Sequence, residues 1–449
     1  MKAEEFVSVG YQKLLTFERP GGGFDWWGRE PALVFLTAYG LQQFVDMKKV
    51  YPTVDEGVIK RARGFLAGKQ DADGAWRKVG GTHGMRMSQF KNPVLPLTAY
   101  VAWSLLESGE TGDAVKKAIT YIKNHLDDAG GEFYVMALAA NALIAYDPED
   151  TDGLAVLRML DSKKQSEDST FFWKNKGKTM YHSSGKAGDV ETTALVAYAM
   201  LKAGVFAPTI NGALSYIIKS KRGSGGWGST QATILALKAL VRGLGGVEQK
   251  EPIEVTYDIN GKKKSFTITP DQADVMQLFD LKDFTRTGKN TVKLSAKGKS
   301  NLMYQIVGRH YQPWSGVKPP TRKIIDIDLA YDRTNLKKHD LLTANVRFCY
   351  NGAAETNMVI LDLGVPPGFT VSPGDLAEFV GKKYERYSVS ARKITIYIGR
   401  TVPGKELKFS YTLIAKYPIK AKTPKSTAYE YYNPDVRSTV KPVELIVTE

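Results

Sequence analysis

Few side chains in this sequence are suited to covalent chemistry. The 449 residues include one cysteine, Cys349, and five histidines, His83, His125, His182, His310 and His339. A lone cysteine forms no internal disulfide and cannot build a multi-thiolate metal site. The histidines sit in dissimilar contexts without ligand spacing, so neither a metal nor a cofactor is expected. Asp326-Ile327-Asp328 is followed by Leu329. It lacks the further acid of an Asp-x-Asp-Asp cluster that could protonate an alkene, and it falls in a strand-like region.

Charge and composition exclude more than they assign. Hydrophobic content of 43% and charged content of 24% are ordinary for a globular chain, and the length allows two to four domains. The formal charge of +15 raises the possibility of an anionic partner. Against it, the Lys and Arg residues are scattered, and no basic run is interleaved with aromatics. The longest run, Lys262-Lys263-Lys264, directly follows Asn260-Gly261, a hairpin-turn signal. It reads as a solvated strand edge rather than a nucleic-acid patch. The apolar stretch from Tyr134 to Tyr146 is far shorter than the ~20 residues a membrane span needs. Met1-Lys2-Ala3-Glu4-Glu5 is followed by no apolar core of a signal peptide. The chain is therefore expected to be cytosolic, or to start short of the true beginning of an exported precursor.

The elements change character near Gly246. Before it, Gly-rich or polar turns carrying an aromatic precede apolar segments. These turns are Gly21-Gly22-Gly23-Phe24, Asp73-Gly74-Ala75-Trp76, Gly130-Gly131-Glu132-Phe133, Phe172-Trp173 and Gly225-Gly226-Trp227. Their aromatics recur every 40 to 57 residues, room for one helical hairpin and its loops. The segments that follow resemble one another, as in Leu36-Thr37-Ala38-Tyr39, Leu97-Thr98-Ala99-Tyr100 and Thr193-Ala194-Leu195-Val196-Ala197-Tyr198. Small residues alternate with large ones there, as close-packed inner helices require. More polar segments, such as Val54 to Gln70 and Asp113 to His125, suit an outer layer. The pattern predicts an α/α toroid of about five helix pairs. Six pairs close such rings, so one pair is expected to be missing at the N-terminus, leaving Leu14, Leu15, Phe17 or their neighbours exposed.

After Gly246 the apolar residues alternate with period two. Leu342, Ala344, Val346, Phe348 and Tyr350 form one face; Ile394, Ile396 and Ile398 form another; Leu407, Phe409, Tyr411 and Leu413 form a third. Turns such as Val365-Pro366-Pro367-Gly368 separate them, which predicts a β-sandwich. Ser372, Pro373 and Asp375 make an N-cap signal for one short helix over Asp375 to Lys383. The expected domains are 1–246, the toroid; 247–314, a smaller strand-rich segment; and 315–449, the sandwich.

Several stretches, taken in order, resemble the alpha-macroglobulin family, which includes the complement thioester proteins. They are Gly10-Tyr11-Gln12, Phe24-Asp25-Trp26-Trp27-Gly28, Leu36-Thr37-Ala38-Tyr39-Gly40-Leu41, Val54-Asp55-Glu56-Gly57, Gly225-Gly226-Trp227-Gly228-Ser229-Thr230-Gln231-Ala232-Thr233 and Tyr429-Glu430-Tyr431-Tyr432. The resemblance implies a thioester-type toroid, the second half of a CUB domain and a receptor-binding domain. It also implies a protease inhibitor rather than an enzyme, acting with upstream macroglobulin domains or a partner chain, outside the cell or in the periplasm or cell envelope. In the family a Cys-Gly-Glu-Gln segment forms an internal thioester, because a thiolate leaves far more easily than an amine. No such segment occurs here: Cys349 is followed by Tyr350-Asn351-Gly352.

Two sets of residues remain as candidates under this resemblance. His83, in Gly80-Gly81-Thr82-His83, lies about where complement-type relatives keep a thioester-associated histidine; read by itself it is a loop histidine. The lysine pair that animal relatives use for a clearance receptor falls on Ser372 and Leu376, so that function is not carried over. The basic residues beside the short helix, Lys382, Lys383 and Arg386, are the remaining candidate binding surface; read by themselves they are solvated ends of a helix. A rival resemblance also exists. Gln70-Asp71-Ala72-Asp73-Gly74-Ala75-Trp76 fits the Q-x-x-D-G-x-W repeat of triterpene cyclases, and prenyltransferases share the toroid. The first need the acidic cluster missing at Asp326 to Leu329, and the second a zinc-binding cysteine that the toroid lacks. A non-catalytic scaffold is the third reading.

Overall fold

The computed structural model describes residues 2–77, 89–222, 225–244, 251–273, 275–298, 302, 304–308, 313–314 and 323–449. The chain divides into two compact units, Met1–Leu237 with His310–Glu449, and Lys238–Arg309. The helices are α1 (Lys2–Leu15), α2 (Val34–Lys48), α3 (Glu56–Gly68), α4 (Val94–Glu107), α5 (Asp113–Asn124), α6 (Phe133–Tyr146), α7 (Thr151–Ser162), α8 (Gly185–Ala203), α9 (Ala207–Lys219) and α10 (Thr230–Leu244).

Helices α2, α4, α6 and α8 are buried on nearly every side and pack in succession, α2 on α4, α4 on α6 and α6 on α8. Each pairs with the amphipathic helix that follows it, α3, α5, α7 and α9. This is the inner and outer alternation of the expected toroid. Ala38, Ala99, Ala139, Ala140, Ala194 and Ala197 are fully buried, so the inner backbones approach closely. Polar ties cross the inner layer: Gln42 Nε2 donates to Ser104 Oγ at 3.0 Å, and Asn141 Nδ2 to the Leu195 carbonyl at 2.9 Å. Outer helices start on side-chain caps, Asp55 accepting from the Gly57 N–H and Asp150 from Asp152 and Gly153.

The recurrent aromatic turns join one pair to the next through two hydrogen bonds. The backbone N–H of the aromatic donates to a threonine hydroxyl in the following inner helix. The bonds are Phe24 to Thr37 at 2.9 Å, Trp76 to Thr98 at 3.2 Å, Trp173 to Thr193 at 3.2 Å and Trp227 to Thr233 at 3.1 Å. Each indole Nε1 donates backwards to a carbonyl near the end of the preceding outer helix. Trp76 reaches Leu66 at 2.8 Å, Trp173 reaches Leu160 at 2.8 Å and Trp227 reaches Ile217 at 2.6 Å. In the Asp73-Gly74 turn, Gly74 has φ +92°, and a Cβ there would lie 2.4 Å from the Lys117 carbonyl of α5. Gln70 Nε2 bonds the Gly74 and Ala114 carbonyls, so the Q-x-x-D-G-x-W residues are occupied in building the turn. The turn at Gly130 differs, because Phe133 itself begins α6.

Leu14, Leu15 and Phe17 are half-buried. The exposed apolar side chains of α1 are instead their neighbours Phe6 and Val9, while Tyr11 turns inward, edge-on to Phe44. A hairpin of β1 (Gln165–Glu167) and β2 (Thr170–Phe172) gave no sequence signal; Asp168 and Ser169 both take positive φ in its two-residue turn.

The unit Lys238–Arg309 contains β3 (Ile253–Ile259), β4 (Lys262–Ile268) and β5 (Val292–Lys297), in the order β4-β3-β5. Asn260 and Gly261 turn the hairpin with φ of 55° and 90°, and the three lysines lie on the edge strand β4. Ile253, Val255 and Ile268 form its small core.

The sandwich comprises β6 (Ile325–Tyr331), β7 (Asn335–Lys337), β8 (Leu341–Tyr350), β9 (Thr356–Gly364), β10 (Phe369–Val371), α11 (Pro373–Ala377), β11 (Arg386–Val389), β12 (Lys393–Thr401), β13 (Glu406–Ala415), β14 (Ile419–Lys422), β15 (Ser426–Glu430), β16 (Asn433–Val440) and β17 (Glu444–Thr448). Its sheets run β10-β13-β8-β6, β11-β12-β9-β15-β16 and β14-β17-β7. The alternating residues of β8, β12 and β13 supply one continuous core with Val359, Leu361 and Leu363 of β9. The short helix is smaller than its cap signal suggests. Asp375 does not close a capping box; its carboxylate accepts the Thr412 N–H of β13 at 2.8 Å, and the helix ends at Ala377.

Removing one turn hydroxyl should leave a buried N–H without its partner. Thr98→Val is expected to lower stability by about 1–3 kcal/mol. Thr120→Val, on the exposed face of α5, should stay within about 0.5 kcal/mol. Urea denaturation of both variants checks the difference.

Candidate functional site

The end of the toroid at which α8 and α10 begin meets the sandwich, and the chemistry of the described residues concentrates there. The segment between β2 and α8 folds back on itself. The Thr179 N–H donates to the Ser183 carbonyl at 2.8 Å, and the Ser183 N–H to Thr179 Oγ1 at 3.1 Å. His182 at its tip has φ +67°, a left-handed conformation that costs energy for a residue with a Cβ. Its imidazole faces Tyr432, with ring centroids 5.3 Å apart. Tyr431 stands edge-on to Tyr432 at 5.0 Å.

Other contacts surround this aromatic pair. Arg222 pairs with Asp435 of β16 at 2.7 Å, and Lys178 Nζ donates to Thr356 Oγ1 at 3.4 Å. Gly185, with φ +55°, opens α8 against Asn433; a Cβ there would lie 3.1 Å from the Asn433 amide nitrogen. Burial pushes the Tyr432 phenol up to about 12, with Tyr431 adding to the effect. Burial likewise raises Tyr39, on α2, to about 12.

Beneath the His182 segment lies Glu191 of α8, with no solvent exposure. Its Oε2 accepts from Thr179 Oγ1 at 3.2 Å, while its buried Oε1 has no hydrogen-bond partner among the described residues. Ser183 Oγ meets Ser229 Oγ at 2.7 Å, and Ser229 Oγ in turn accepts the Ala232 N–H at the start of α10. The carboxyl therefore braces the segment that carries His182 and, through the serine pair, the first turn of α10. Burial raises its pKa to about 7, only partly countered by the nearby hydroxyls of Ser183, Thr179 and Tyr134. Tyr181, buried, packs on Phe35, Tyr39 and Tyr100.

The residues favoured by the sequence fall elsewhere. His83 lies outside the described residues. Lys382, Lys383 and Arg386 are exposed on the sandwich and engaged locally: Lys383 lies over the Phe379 ring and donates to the Lys408 carbonyl, and Arg386 stacks on Tyr397 at 4.5 Å. Lys382 and Lys383 follow a short turn rather than ending a helix. Cys349 is on β8, its Sγ 3.4 Å from Asn351 Oδ1. His182 and Glu191 were missed. The glutamate in an otherwise apolar inner segment was the available signal; the left-handed backbone of His182 had none.

Comparison with known proteins agrees with this architecture. The profile of the A-macroglobulin TED domain matches residues 1–242, and that of the A-macroglobulin receptor binding domain matches residues 354–441. Thioester-containing protein 1 allele R1 of Anopheles gambiae is 23% identical over 459 residues, covering 97% of this chain and 32% of its own length. The chain thus spans about a third of that relative. Native alpha-2-macroglobulin of Escherichia coli, solved from domain MG7 to the C-terminus, is 15% identical with a TM-score of 0.64, over 99% of this chain and 68% of that one. Salmonella alpha-2-macroglobulin reacted with methylamine gives a TM-score of 0.63 at 15% identity, over 98% of this chain and 27% of that one.

Because the folded pKa of Glu191 is raised above its ordinary 4.5, the native state favours the protonated acid. Its contribution to stability is full below about pH 4.5 and is lost as pH rises through about 7. Glu191→Gln should therefore gain on the wild type between pH 4.5 and 8, by on the order of 3 kcal/mol. Urea unfolding at both pH values measures this; an equal difference at the two would refute it.

Proposed function

This chain belongs to the alpha-macroglobulin family, and we propose that it serves as the C-terminal part of a protease trap, acting as the housing of the reactive centre rather than its chemistry. The observation that carries this reading is the docking of His182 and the α8 start against Tyr431 and Tyr432 of the sandwich. His182 is buried beneath Tyr432 at that contact, and shielding from water is what a hydrolysable acyl group needs from its surroundings. The acyl group itself is not encoded in this sequence, whose single cysteine lies in the sandwich. A macroglobulin-type inhibitor containing it would draw on upstream macroglobulin domains or a partner chain for capture, with proteases as targets.

The domain division that suits this role is 1–246 as the thioester-type toroid, 247–314 as a CUB-like segment and 315–449 as the receptor-binding domain. A setting outside the cell, or in the periplasm or cell envelope, fits it. Among the described residues no helix is long and apolar enough to cross a membrane. A toroid enzyme is the weaker reading: the Q-x-x-D-G-x-W residues are absorbed in the turn at Trp76. His83 keeps its place as the thioester-associated candidate, and Lys382, Lys383 and Arg386 theirs as a basic surface.

The test uses the chain alone. Incubated with methylamine, it should show no covalent adduct by mass spectrometry, and an equimolar amount should leave trypsin activity on a protein substrate unchanged. An adduct, or stoichiometric protection of the substrate, would contradict the assignment.

A further inference from the structure

A groove of about 1160 Å³ runs between the toroid turn that precedes α10 and the outer face of the sheet β11-β12-β9-β15-β16. Tyr429 and Tyr431 give it an aromatic lining. Five cations surround it: Arg222 from the toroid, Arg392 and Lys393 at the start of β12, Lys425 before β15, and Arg437 on β16. Only two carboxylates lie among them, Asp362 and Asp435, which leaves the groove with an excess of three positive charges.

Both carboxylates are already engaged. Asp362 is held by Lys393 Nζ at 3.1 Å and by Thr395 Oγ1 at 2.7 Å. Asp435 takes Arg222 at 2.7 Å and Arg437 at 3.7 Å. Arg392 and Lys425 are exposed, and among the described residues neither has an ion-pair partner. An open groove with aromatic walls, two unused cations and three partly used ones is complementary to an anion that also carries apolar groups.

We propose that this groove binds an acidic peptide segment, with Arg392 and Lys425 taking its carboxylates and the tyrosines its apolar side chains. The charge pattern favours a peptide over a polyanion. A nucleic acid or sulfated glycan presents an unbroken row of negative charge and is best met by a continuous cationic track. Here Asp362 and Asp435 interrupt the track and would repel such a row. A peptide with separated Asp or Glu residues meets the free cations singly, and its intervening side chains meet the rings. The site lies on the sheet face beside the His182–Tyr432 contact, and the assignment does not depend on the protease-trap reading.

A fluorescein-labelled decapeptide of alternating Glu and Ala, titrated with the full chain and followed by anisotropy, tests this. Saturable binding is expected, at least tenfold weaker for the Gln counterpart and weaker again as salt rises from 50 to 300 mM. The double substitution Arg392→Glu with Lys425→Glu should reduce affinity at least tenfold while leaving the urea midpoint unchanged. Lys60→Glu with Lys116→Glu, on the outer helices α3 and α5, should leave binding as it was. Absence of saturable binding, equal affinity for the Gln peptide, or equal losses in the two double variants would overturn the proposal. So would a sulfated oligosaccharide that binds more tightly than the peptide through the same two residues.

Discussion

A threonine hydroxyl of an inner helix, accepting the backbone N–H of a turn aromatic, is the interaction on which the toroid depends. Thr37 and Thr233 also donate to carbonyls of their own first turn, Leu33 and Ser229, both at 2.8 Å. Each of these hydroxyls is thus used in both directions, and the incoming chain is fixed to the new helix at a point shielded from water. The tryptophan side chain secures the other side of the joint by bonding the end of the preceding outer helix. A buried N–H left without its acceptor costs more than a made bond gains, so the pairing enforces geometry as well as adding stability. Repeated at Phe24, Trp76, Trp173 and Trp227, it sets the step from one helix pair to the next.

The same joint positions the site. Thr233 receives Trp227, and four residues earlier Ser229 meets Ser183, beside Glu191 and His182. The turn that closes onto α10 therefore also anchors the segment that faces the sandwich. A neutral carboxyl tolerates this buried setting better than an ionised one, which couples the brace to pH near neutrality. The brace is built from the chain's own groups: the Thr179 hydroxyl bonds the Glu191 carboxyl, and the Ser183 and Ser229 hydroxyls bond each other.

Much of the fold was legible because its signals are local. The Thr-Ala-Tyr repeats mark the inner helices, and the aromatic turns mark the joints, since both the hydroxyl acceptor and the indole donor are written as residue types in the turn and in the helix that follows it. Alternation in β8, β12 and β13 identified the sandwich faces, and Asn260-Gly261 identified the β3-β4 hairpin of the smaller unit. The failures have a common physical origin in tertiary competition. Asp375 looked like a capping residue, but a β13 N–H claims it. The exposed apolar surface of α1 falls on the neighbours Phe6 and Val9, while Leu14, Leu15 and Phe17 are half-buried and Tyr11 packs on Phe44. His182 gave no signal, as its importance comes from a strained backbone and a tyrosine 250 residues away in sequence. The candidate site was only half visible: Tyr431 and Tyr432 stood out, while His182, which meets Tyr432, and Glu191, which bonds Thr179 beneath it, did not.

Exchange of the indole protons gives the most direct measurement of whether these joints hold the toroid. With nitrogen-labelled tryptophan, the Nε1 protons of Trp76, Trp173 and Trp227 should exchange with deuterium only through global unfolding, with protection equal to the full unfolding free energy. Trp27, two-thirds exposed, should exchange at once and serve as the internal reference. Exchange of the three buried indoles through separate local openings, well below the global free energy, would mean that the helix pairs are held together by something other than these turns.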